Sequence, residues 1–255
     1  MQTISETLNL LKNHRSVRKY KDQPIEQELL DQILEAGMRG SNTGNMQIYS
    51  IIVNTDKEMI AKLAPTHFCQ PAITNAKAVL TFCADINRFK IWCENRNAKA
   101  GFDNFLTFMT AATDAIIAAQ NACLEAESNG LGICYLGTVI YNADKIIEIL
   151  KLPKGVVPVA TVTMGYPKQQ LPLTERLPLE AIVHRETYHN FDKADIDRIY
   201  AETESLESNK KFVAENNKQT LAQVFAEVRY TKEGNEQASK CLLDVLKKQG
   251  FLPNE

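Results

Sequence analysis

Apolar residues recur along this chain with two kinds of spacing. Intervals of three and four residues predict amphipathic helices, whereas short continuous apolar runs between turn residues predict buried strands. The first spacing predicts helices over about residues 3–13, 26–39, 56–63, 86–97, 104–128 and 143–150, the last of them capped by Asn142. The second predicts strands over about residues 48–53, 78–83, 131–135 and 156–164. Because helices separate the strands, the pattern indicates an α/β or α+β sandwich and argues against an all-β fold.

Two regions depart from this alternation. Residues 104–128 are Ala-rich and apolar on most sides, which is typical of a helix that is buried, often between subunits. From about residue 192 onward the chain is highly charged and helical in pattern. Its apolar positions form two stripes, which are Leu221, Val224, Phe225 and Val228, and Leu242, Leu243, Val245 and Leu246.

Composition narrows the class of protein. With 255 residues, 44% hydrophobic and 24% charged, the chain has the make-up of an ordinary globular protein. A formal charge of −2 argues against nucleic-acid binding. No stretch predicts a membrane span and the N-terminus does not resemble a signal peptide, so we expect a cytoplasmic protein. The six cysteines are scattered without a CxxC and the four histidines lack metal-ligand spacing, so we expect free thiols and no metal site.

The first polar segment that could carry chemistry is HRSVRKYK at residues 14–21, which concentrates cations and a hydroxyl in one turn. Arginine is a planar multiple donor suited to phosphate, and a serine hydroxyl with free backbone N–H groups adds further donors. A solvated basic turn between two helices explains the same residues. Both interpretations stay open for the segment alone.

Three further segments are open to two interpretations in the same way. The loop SNTGN at 41–45, followed by Gln47, offers amides and hydroxyls that can read a heteroaromatic edge, or it is an ordinary polar turn. YLGT at 135–138 ends a predicted strand, where Gly137 permits close approach of a ligand, or it is a plain strand-to-helix turn. Arg176 lies on an extended segment between two prolines and is either a phosphate clamp or a surface residue.

Motifs for a catalytic nucleophile or for nucleotide phosphates are missing from the sequence. It contains no GxSxG, no Walker loop and no GxGxxG. A flavin performs redox chemistry without a protein nucleophile, because the protein supplies binding, orientation and electrostatics. The absence of these motifs is therefore compatible with a flavin enzyme.

Taken together and in this order, the polar segments resemble the FMN-dependent nitroreductase family, in particular its NADPH-linked nitroreductases and flavin reductases. The resemblance covers about residues 5–190. Its pieces are HRSVRKY at 14–20, a polar loop ending in NMQ at 45–47, Gln70, GLGICYLGT at 130–138, and MGYP and ERLPLEAIVHRETY within 164–188. It implies an α+β nitroreductase-like fold, with a central, mostly antiparallel sheet flanked by helices, in an intertwined homodimer. It also implies an FMN-binding core over 1–190 and a helical extension over 191–255 that packs on the core or on the partner subunit.

The resemblance further implies which residues bind the cofactor. They are His14, Arg15, Ser16, Arg18, Ser41, Thr43, Asn45, Gln47, Gln70, Tyr135, Leu136, Gly137, Thr138 and Arg176. In the family, residues matching Arg15, Ser16 and Arg176 bind the FMN phosphate, and the residue matching Arg18 lies at the pyrimidine edge. A cation there would stabilise the negative charge of reduced flavin.

Other parts of the matched set have different implied roles. The 41–47 loop would reach the flavin from the partner subunit, Gln70 would lie near the ring or the ribityl chain, and residues 135–138 would lie beneath the isoalloxazine. Thr174 stands where the family often has a lysine, and Thr138 stands where it usually has a second glycine. Arg229 could contact a 2′-phosphate or could be an exposed helix residue.

The resemblance therefore implies an NAD(P)H-dependent flavin oxidoreductase that passes hydride from NADPH or NADH to FMN. The electrons would then go to a nitroaromatic, quinone or flavin acceptor by a ping-pong mechanism. Two alternatives remain open at this point. One is a flavin-binding or sensing protein of the same fold without efficient turnover, and the other is a structural dimerisation module whose interface is the helix over 104–128.

Overall fold

The computed structural model describes residues 5–253. Its helices are α1 Glu6–Lys12, α2 Gln27–Met38, α3 Lys57–Leu63, α4 Pro71–Thr74, α5 Asn87–Glu94, α6 Phe105–Ser128, α7 Ala143–Leu150, α8 Lys193–Ser205, α9 Glu207–Glu215, α10 Leu221–Val224 and α11 Lys232–Gln249. Its strands are β1 Tyr49–Asn54, β2 Ala78–Asp85, β3 Gly132–Tyr135 and β4 Val156–Gly165. The predicted elements between residues 26 and 164 are confirmed, with ends that shift by a few residues. Residues 3 and 4 of the predicted first helix lie outside the described residues.

The four strands form one sheet in the order β1-β2-β4-β3. All three neighbouring pairs are antiparallel, with Tyr49 opposite Ala84 and Gly132 opposite Gly165. The central strand β2 is buried along its whole length, which explains why its sequence is a continuous apolar run and not an alternating one. The prediction of an α+β fold with a mostly antiparallel sheet is confirmed. The order also places β1 and β3 at opposite edges of the sheet.

Helix α6 lies in the core beside the sheet and against α2, and small residues allow this close packing. An added Cβ at Gly37 would meet the carbonyl oxygen of Ala118 at 3.1 Å and the Cβ of Ala122 at 3.2 Å. The alanines of α6 share a core with residues of β2 and β4, including Leu80 and Val162. Asn104 caps α6, because its side chain accepts a hydrogen bond from the backbone N–H of Thr107 at 3.0 Å. The small side chains of α6 therefore allow the helix to pack closely against both α2 and the sheet.

The predicted N-cap of α7 is confirmed in its position but not in its hydrogen bonding. Asn142 occupies the N-cap position of α7, but its side chain makes no capping hydrogen bond. Its amide donates instead to the carbonyl oxygen of Thr66 at 2.8 Å. The residue thereby links the start of α7 to the short turn Ala64–His67.

The chain divides into two compact units, one of residues 1–172 with 238–255 and the other of residues 173–237. In the second unit, α8 and α10 each begin with a reciprocal capping box, at Asp192 and Thr220. The predicted division into an FMN-binding core over 1–190 and an extension over 191–255 concerns cofactor binding and stays a prediction.

The two predicted C-terminal stripes are only half buried. Leu221 and Val224 are buried, whereas Phe225 and Val228 are exposed. The reason is a π-helical turn over Phe225–Arg229, whose wider winding breaks the spacing of the stripe. In the second stripe, Val245 and Leu246 lie in the core of the first unit and Leu243 is exposed.

Two findings bear on the class of protein. All six cysteines are unpaired, and four of them are buried, as predicted. Within residues 5–253, no helix has both the length and the apolar character that a bilayer crossing requires.

Candidate active site

The HRSVR segment extends the sheet beyond β3. Ser16 forms a parallel bridge with Ile133, and the backbone N–H of Val17 donates to the carbonyl oxygen of Ile133 at 2.8 Å. Gly132 makes this approach possible, because a Cβ there would lie 2.5 Å from the side chain of Val17. Backbone pairing therefore fixes this segment along the free edge of β3, so it is not a loose turn.

The two arginines of the segment are engaged differently. The guanidinium of Arg15 donates to the carbonyl oxygens of Asn13 at 3.0 Å and Leu171 at 2.8 Å, which ties the segment to the chain that follows β4. The side chain of Arg18 is exposed and makes no hydrogen bond within residues 5–253. It lies close enough to Cys134 to oppose the rise in the pKa of that thiol that burial causes. Arg18 is therefore a cation at the β3 edge that is free to meet a ligand.

His14 is bound to helix α6. Its Nδ1 lies 2.8 Å from Oε1 of Glu127, whose side chain is nearly buried. The second carboxylate oxygen of Glu127 has no hydrogen-bond partner within the described residues. Glu127 also lines a cavity of about 590 Å³ together with Arg15 and Lys168. The start of the HRSVR segment is thus anchored to the end of α6.

The end of β3 turns away over a glycine. Leu136 is buried and its N–H donates to the carbonyl oxygen of Thr161 at 2.8 Å, while a Cβ at Gly137 would meet no atom within 4 Å. Burial raises the pKa of Tyr135, and the thiol of Cys123 on α6 adds to that rise. The strand end is therefore rigidly held, with open space on its outer side.

A histidine that the sequence analysis did not select holds Thr138. Nδ1 of His67 lies 2.8 Å from Oγ1 of Thr138. The ring of His67 is 1% exposed, and burial lowers its pKa to about 4, so it is neutral at neutral pH. The N–H of Gln70 donates to the carbonyl oxygen of His67 at 3.3 Å, which places Gln70 in the same turn. This turn therefore joins Gln70 to residues 135–138.

The 41–47 loop stands elsewhere, immediately before β1. The N–H and the hydroxyl of Thr43 donate to Oδ1 of Asp114 on α6, at 3.0 and 3.2 Å. Asn45 and Gln47 both have positive φ, at 54° and 52°, and the guanidinium of Arg88 donates to the carbonyl oxygen of Gln47. For a non-glycine residue this left-handed conformation costs roughly 1–2 kcal/mol, and it persists where contacts with the surrounding structure hold it. Asp114 and Arg88 are the groups that fix them here.

Asp114 is a charged group in an apolar setting. It is 2% exposed, and its Oδ2 has no hydrogen-bond partner within the described residues. Burial raises its pKa, and the two hydrogen bonds from Thr43 partly offset that rise. The negative charge nearby also adds to the rise in the pKa of Tyr49. The loop is therefore held by a carboxylate that is itself costly to ionise.

Two basic residues that the sequence analysis considered as phosphate contacts, Arg176 and Arg229, belong to the second unit. The guanidinium of Arg176 is exposed and donates to the carbonyl oxygen of its neighbour Glu175 at 3.0 Å. The guanidinium of Arg229 lies 5.2 Å from the centre of the Phe212 ring, which is a cation–π contact. Arg229 is thus already packed on its own unit.

The structure brings together some predicted site residues and separates others. Residues 14–18 lie along β3, residues 135–138 continue from its end, and Gln70 lies in the turn that binds Thr138. Residues 41–47 precede β1, and across the sheet β1 lies three strand spacings, or about 14 Å, from β3. The sequence analysis missed the supporting residues, which are His67, Arg88, Asp114 and Glu127. Only Asp114 left a signal, as the one acidic residue between Phe105 and Leu124 in an apolar stretch of the predicted helix.

Comparison with known proteins supports one family. The chain is 35% identical over 254 residues to FMN reductase (NAD(P)H) of Bacillus subtilis strain 168, which covers 97% of this chain and 98% of that protein. It is 34% identical over 190 residues to the oxygen-insensitive NADPH nitroreductase of Salmonella typhimurium strain LT2, covering 74% and 78%. A crystal structure from Bacteroides fragilis NCTC 9343, described as a candidate oxidoreductase, matches with a TM-score of 0.94 and 49% identity, covering 96% and 99%. The family model described as Nitroreductase family matches residues 11–166, and we conclude that this chain belongs to the nitroreductase family.

Proposed function

We propose that this protein is a cytoplasmic NAD(P)H-dependent FMN oxidoreductase of the nitroreductase type that acts as a homodimer. The observation that carries the proposal is the β3 edge, where Arg18 and the hydroxyl of Ser16 make no side-chain hydrogen bond within residues 5–253 and Gly137 faces open space. The name of the Bacillus subtilis relative, an FMN reductase matched over nearly its whole length, supports the cofactor and the reductant. Six unpaired thiols suit a reducing compartment.

The groups at this edge fit a flavin mononucleotide. Ser16 and neighbouring backbone N–H groups offer donors to a phosphate, and Arg15 adds positive charge. Arg18 offers a cation that would stabilise the negative charge of reduced flavin, and Gly137 would let a flat ring approach the backbone. When bound, FMN supplies the redox chemistry, taking hydride from NAD(P)H and passing two electrons to a nitroaromatic, quinone or flavin acceptor.

The separation of the two polar regions supports the proposed homodimer. The 41–47 loop and the β3 edge lie at opposite edges of one protomer's sheet, so a second copy is needed to bring a loop to each β3 edge. Helix α6 exposes an apolar stripe of Phe105, Met109 and Ile116, with Leu106 beside it at 75% exposure. Exposed apolar stripes of this kind are typical of subunit interfaces.

The first test is the visible spectrum of the purified protein. We expect a yellow protein, or a colourless one that turns yellow with added FMN and bleaches anaerobically with NADPH or NADH. Retention of FMN without reduction by either nucleotide would identify a flavin-binding or sensing protein instead. A chain that ignores FMN would favour a structural dimerisation module. Parallel lines in double-reciprocal plots would support the ping-pong order.

The second test asks whether the site is shared between subunits. Arg18→Ala damages the β3 edge, and Thr43→Val with Asn45→Gly removes two polar side chains of the loop, with glycine suited to the positive φ at position 45. If the loop acts on the partner's flavin, refolding the two variants together yields mixed dimers with one intact site, and activity exceeds that of either variant alone. If both regions serve the same protomer's flavin, mixing restores nothing.

A further inference from the structure

The turn Ala64–His67 and the segment after β3 are joined by two hydrogen bonds. One links His67 to Thr138, and the other links the amide of Asn142 to the carbonyl oxygen of Thr66 at 2.8 Å. The first bond ends on a hydroxyl that is only partly buried, one residue after Gly137. The position of Oγ1 of Thr138 is therefore set by a side chain from a different part of the chain.

The two residues after His67 have a backbone conformation that non-glycine residues rarely adopt by themselves. Phe68 and Cys69 follow directly and both have positive φ, at 55° and 49°. Two consecutive non-glycine residues in this region are costly and persist where the surrounding structure fixes them. The burial of His67 and its bond to Thr138 supply that constraint. The strained pair is followed by Gln70, the N-cap residue of α4.

The chemistry of the pair follows from the neutral ring. A neutral imidazole Nδ1 either donates to Oγ1 or accepts from it, according to tautomer. In both cases Thr138 keeps hydrogen-bonding capacity for a ligand, at a fixed position beside the open space over Gly137. A glycine at position 138 would offer no side-chain hydroxyl there.

We propose that His67 is a positioning residue that holds the Thr138 hydroxyl toward the flavin ring, so that the pair sets cofactor affinity and reduction potential. This inference rests on the proposed function. It assigns a role to a histidine outside the predicted cofactor-binding set, and it makes Thr138 a contributor to flavin electronics. Thr138 then contacts the cofactor, and His67 acts through it.

The test is a double-mutant cycle on the holoenzyme. We expect Thr138→Val and His67→Phe each to weaken FMN binding about fivefold, the size of one neutral hydrogen bond, and to shift the midpoint potential in the same direction. The double variant should be no worse than either single variant, because both changes remove the same contact. His67→Asn should restore both properties, because its amide can replace Nδ1, and so should Thr138→Ser.

Thr66→Val is the matched control. It removes a buried hydroxyl from the same turn, one that donates to the carbonyl oxygen of Leu63 at 2.8 Å, and it should lower thermal stability without changing the midpoint potential. Wild-type potential and FMN affinity in Thr138→Val, or additive effects in the double variant, would overturn the inference while leaving the proposed function standing. A wild-type protein that takes up no FMN would overturn both. If His67→Phe does not fold, the FMN affinity and midpoint potential of Thr138→Val and Thr138→Ser show whether the hydroxyl has the proposed role.

Discussion

The two polar regions of this protein, the β3 edge and the 41–47 loop, are fixed by different physical means. At the β3 edge, backbone pairing between Ser16 and Ile133 and the room left by Gly132 position the segment, so Arg18 stays unengaged. In the 41–47 loop, side chains do this work, because Asp114 and Arg88 hold a backbone with several positive φ values. The side chains of Ser16 and Arg18 are consequently available for a ligand, whereas Thr43 is already committed to Asp114.

Both regions are nevertheless tied to the same helix. Glu127 of α6 binds His14, and Asp114 of α6 binds Thr43, each through one carboxylate oxygen. The other oxygen of each lacks a hydrogen-bond partner in the part of the chain that the structure describes. Asp114 and Glu127 are thirteen residues apart, about 20 Å along a helix. Helix α6 therefore anchors one residue of each region.

The largest effect is expected where backbone pairing is disturbed. Gly132→Ala forces a Cβ to within 2.5 Å of Val17 and should lift the HRSVR segment from β3, at a cost of about 1–3 kcal/mol in the free energy of unfolding. Thermal denaturation should show a clearly lower Tm, together with loss of FMN. Gly137→Ala is the matched control, because a Cβ there meets no atom within 4 Å, and its Tm should stay near that of the wild type. Equal Tm values for the two variants would refute the role given to Gly132.

The next effect separates the two arginines of the β3 edge. Arg18→Ala removes a free cation, and we expect FMN affinity to fall about ten- to a hundredfold without a change in Tm. Arg15→Ala also breaks the hydrogen bonds to Asn13 and Leu171, so Tm should fall along with affinity. Fluorescence titration with FMN and thermal denaturation of the apoprotein distinguish these outcomes. An Arg15→Ala protein with unchanged Tm would show that its bonds to the backbone carry no stability.

The third effect is an opposite pH dependence in the two regions. The pKa of His67 is lowered by burial to about 4, so the stability that its neutral form contributes is present above pH 6.5 and is lost as pH falls toward 4. The pKa of Asp114 is raised by burial, so its contribution is larger at low pH and is lost as pH rises through the folded-state pKa.

Replacing each residue with asparagine should remove one of these trends. Compared with the wild type, His67→Asn should lose less stability between pH 6.5 and 4. Asp114→Asn should gain Tm at pH 7, by about 2–4 °C if the gain is about 1 kcal/mol, and should gain nothing at low pH. Tm measured across this range checks both predictions. The assignment would be contradicted if the Tm difference between variant and wild type changed in the same direction with pH for both variants.

The smallest effect is expected at the outer anchor of the loop. Arg88→Gln weakens the hold on the carbonyl oxygen of Gln47 while Asp114 still binds Thr43. We expect less than about 1 kcal/mol in stability, since a single net hydrogen bond is worth about that. Proteolysis within residues 41–47 should become faster with little change in Tm. Unchanged proteolysis would show that Asp114 alone holds the loop.

Much of the fold could be predicted because it depends on local periodicity. Helix α6 was predicted at 104–128 and is observed at Phe105–Ser128. A long apolar, Ala-rich segment that follows an Asn favours a buried helix over any other element. The stripe of Leu221, Val224, Phe225 and Val228 is only half buried, because a π-helical turn over Phe225–Arg229 changes the winding and neither spacing nor composition signals such a turn. Asn142 is the N-cap residue of α7, as predicted, but the hydrogen-bond partner of its side chain, the carbonyl oxygen of Thr66, is distant in the chain and could not be predicted from local context.

What the sequence by itself determined was the strands and most of the helices up to residue 164, an α/β or α+β class, the ordered polar segments and, through their resemblance, the α+β fold and the nitroreductase family. These properties depend on residue types and on spacings over a few turns. Only the tertiary structure decided that Arg15 is engaged and Arg18 is free, that His67 holds Thr138, and that the 41–47 loop lies across the sheet from the β3 edge. Those facts depend on contacts between residues far apart in the chain, which strand order and helix packing bring together and which no local pattern records.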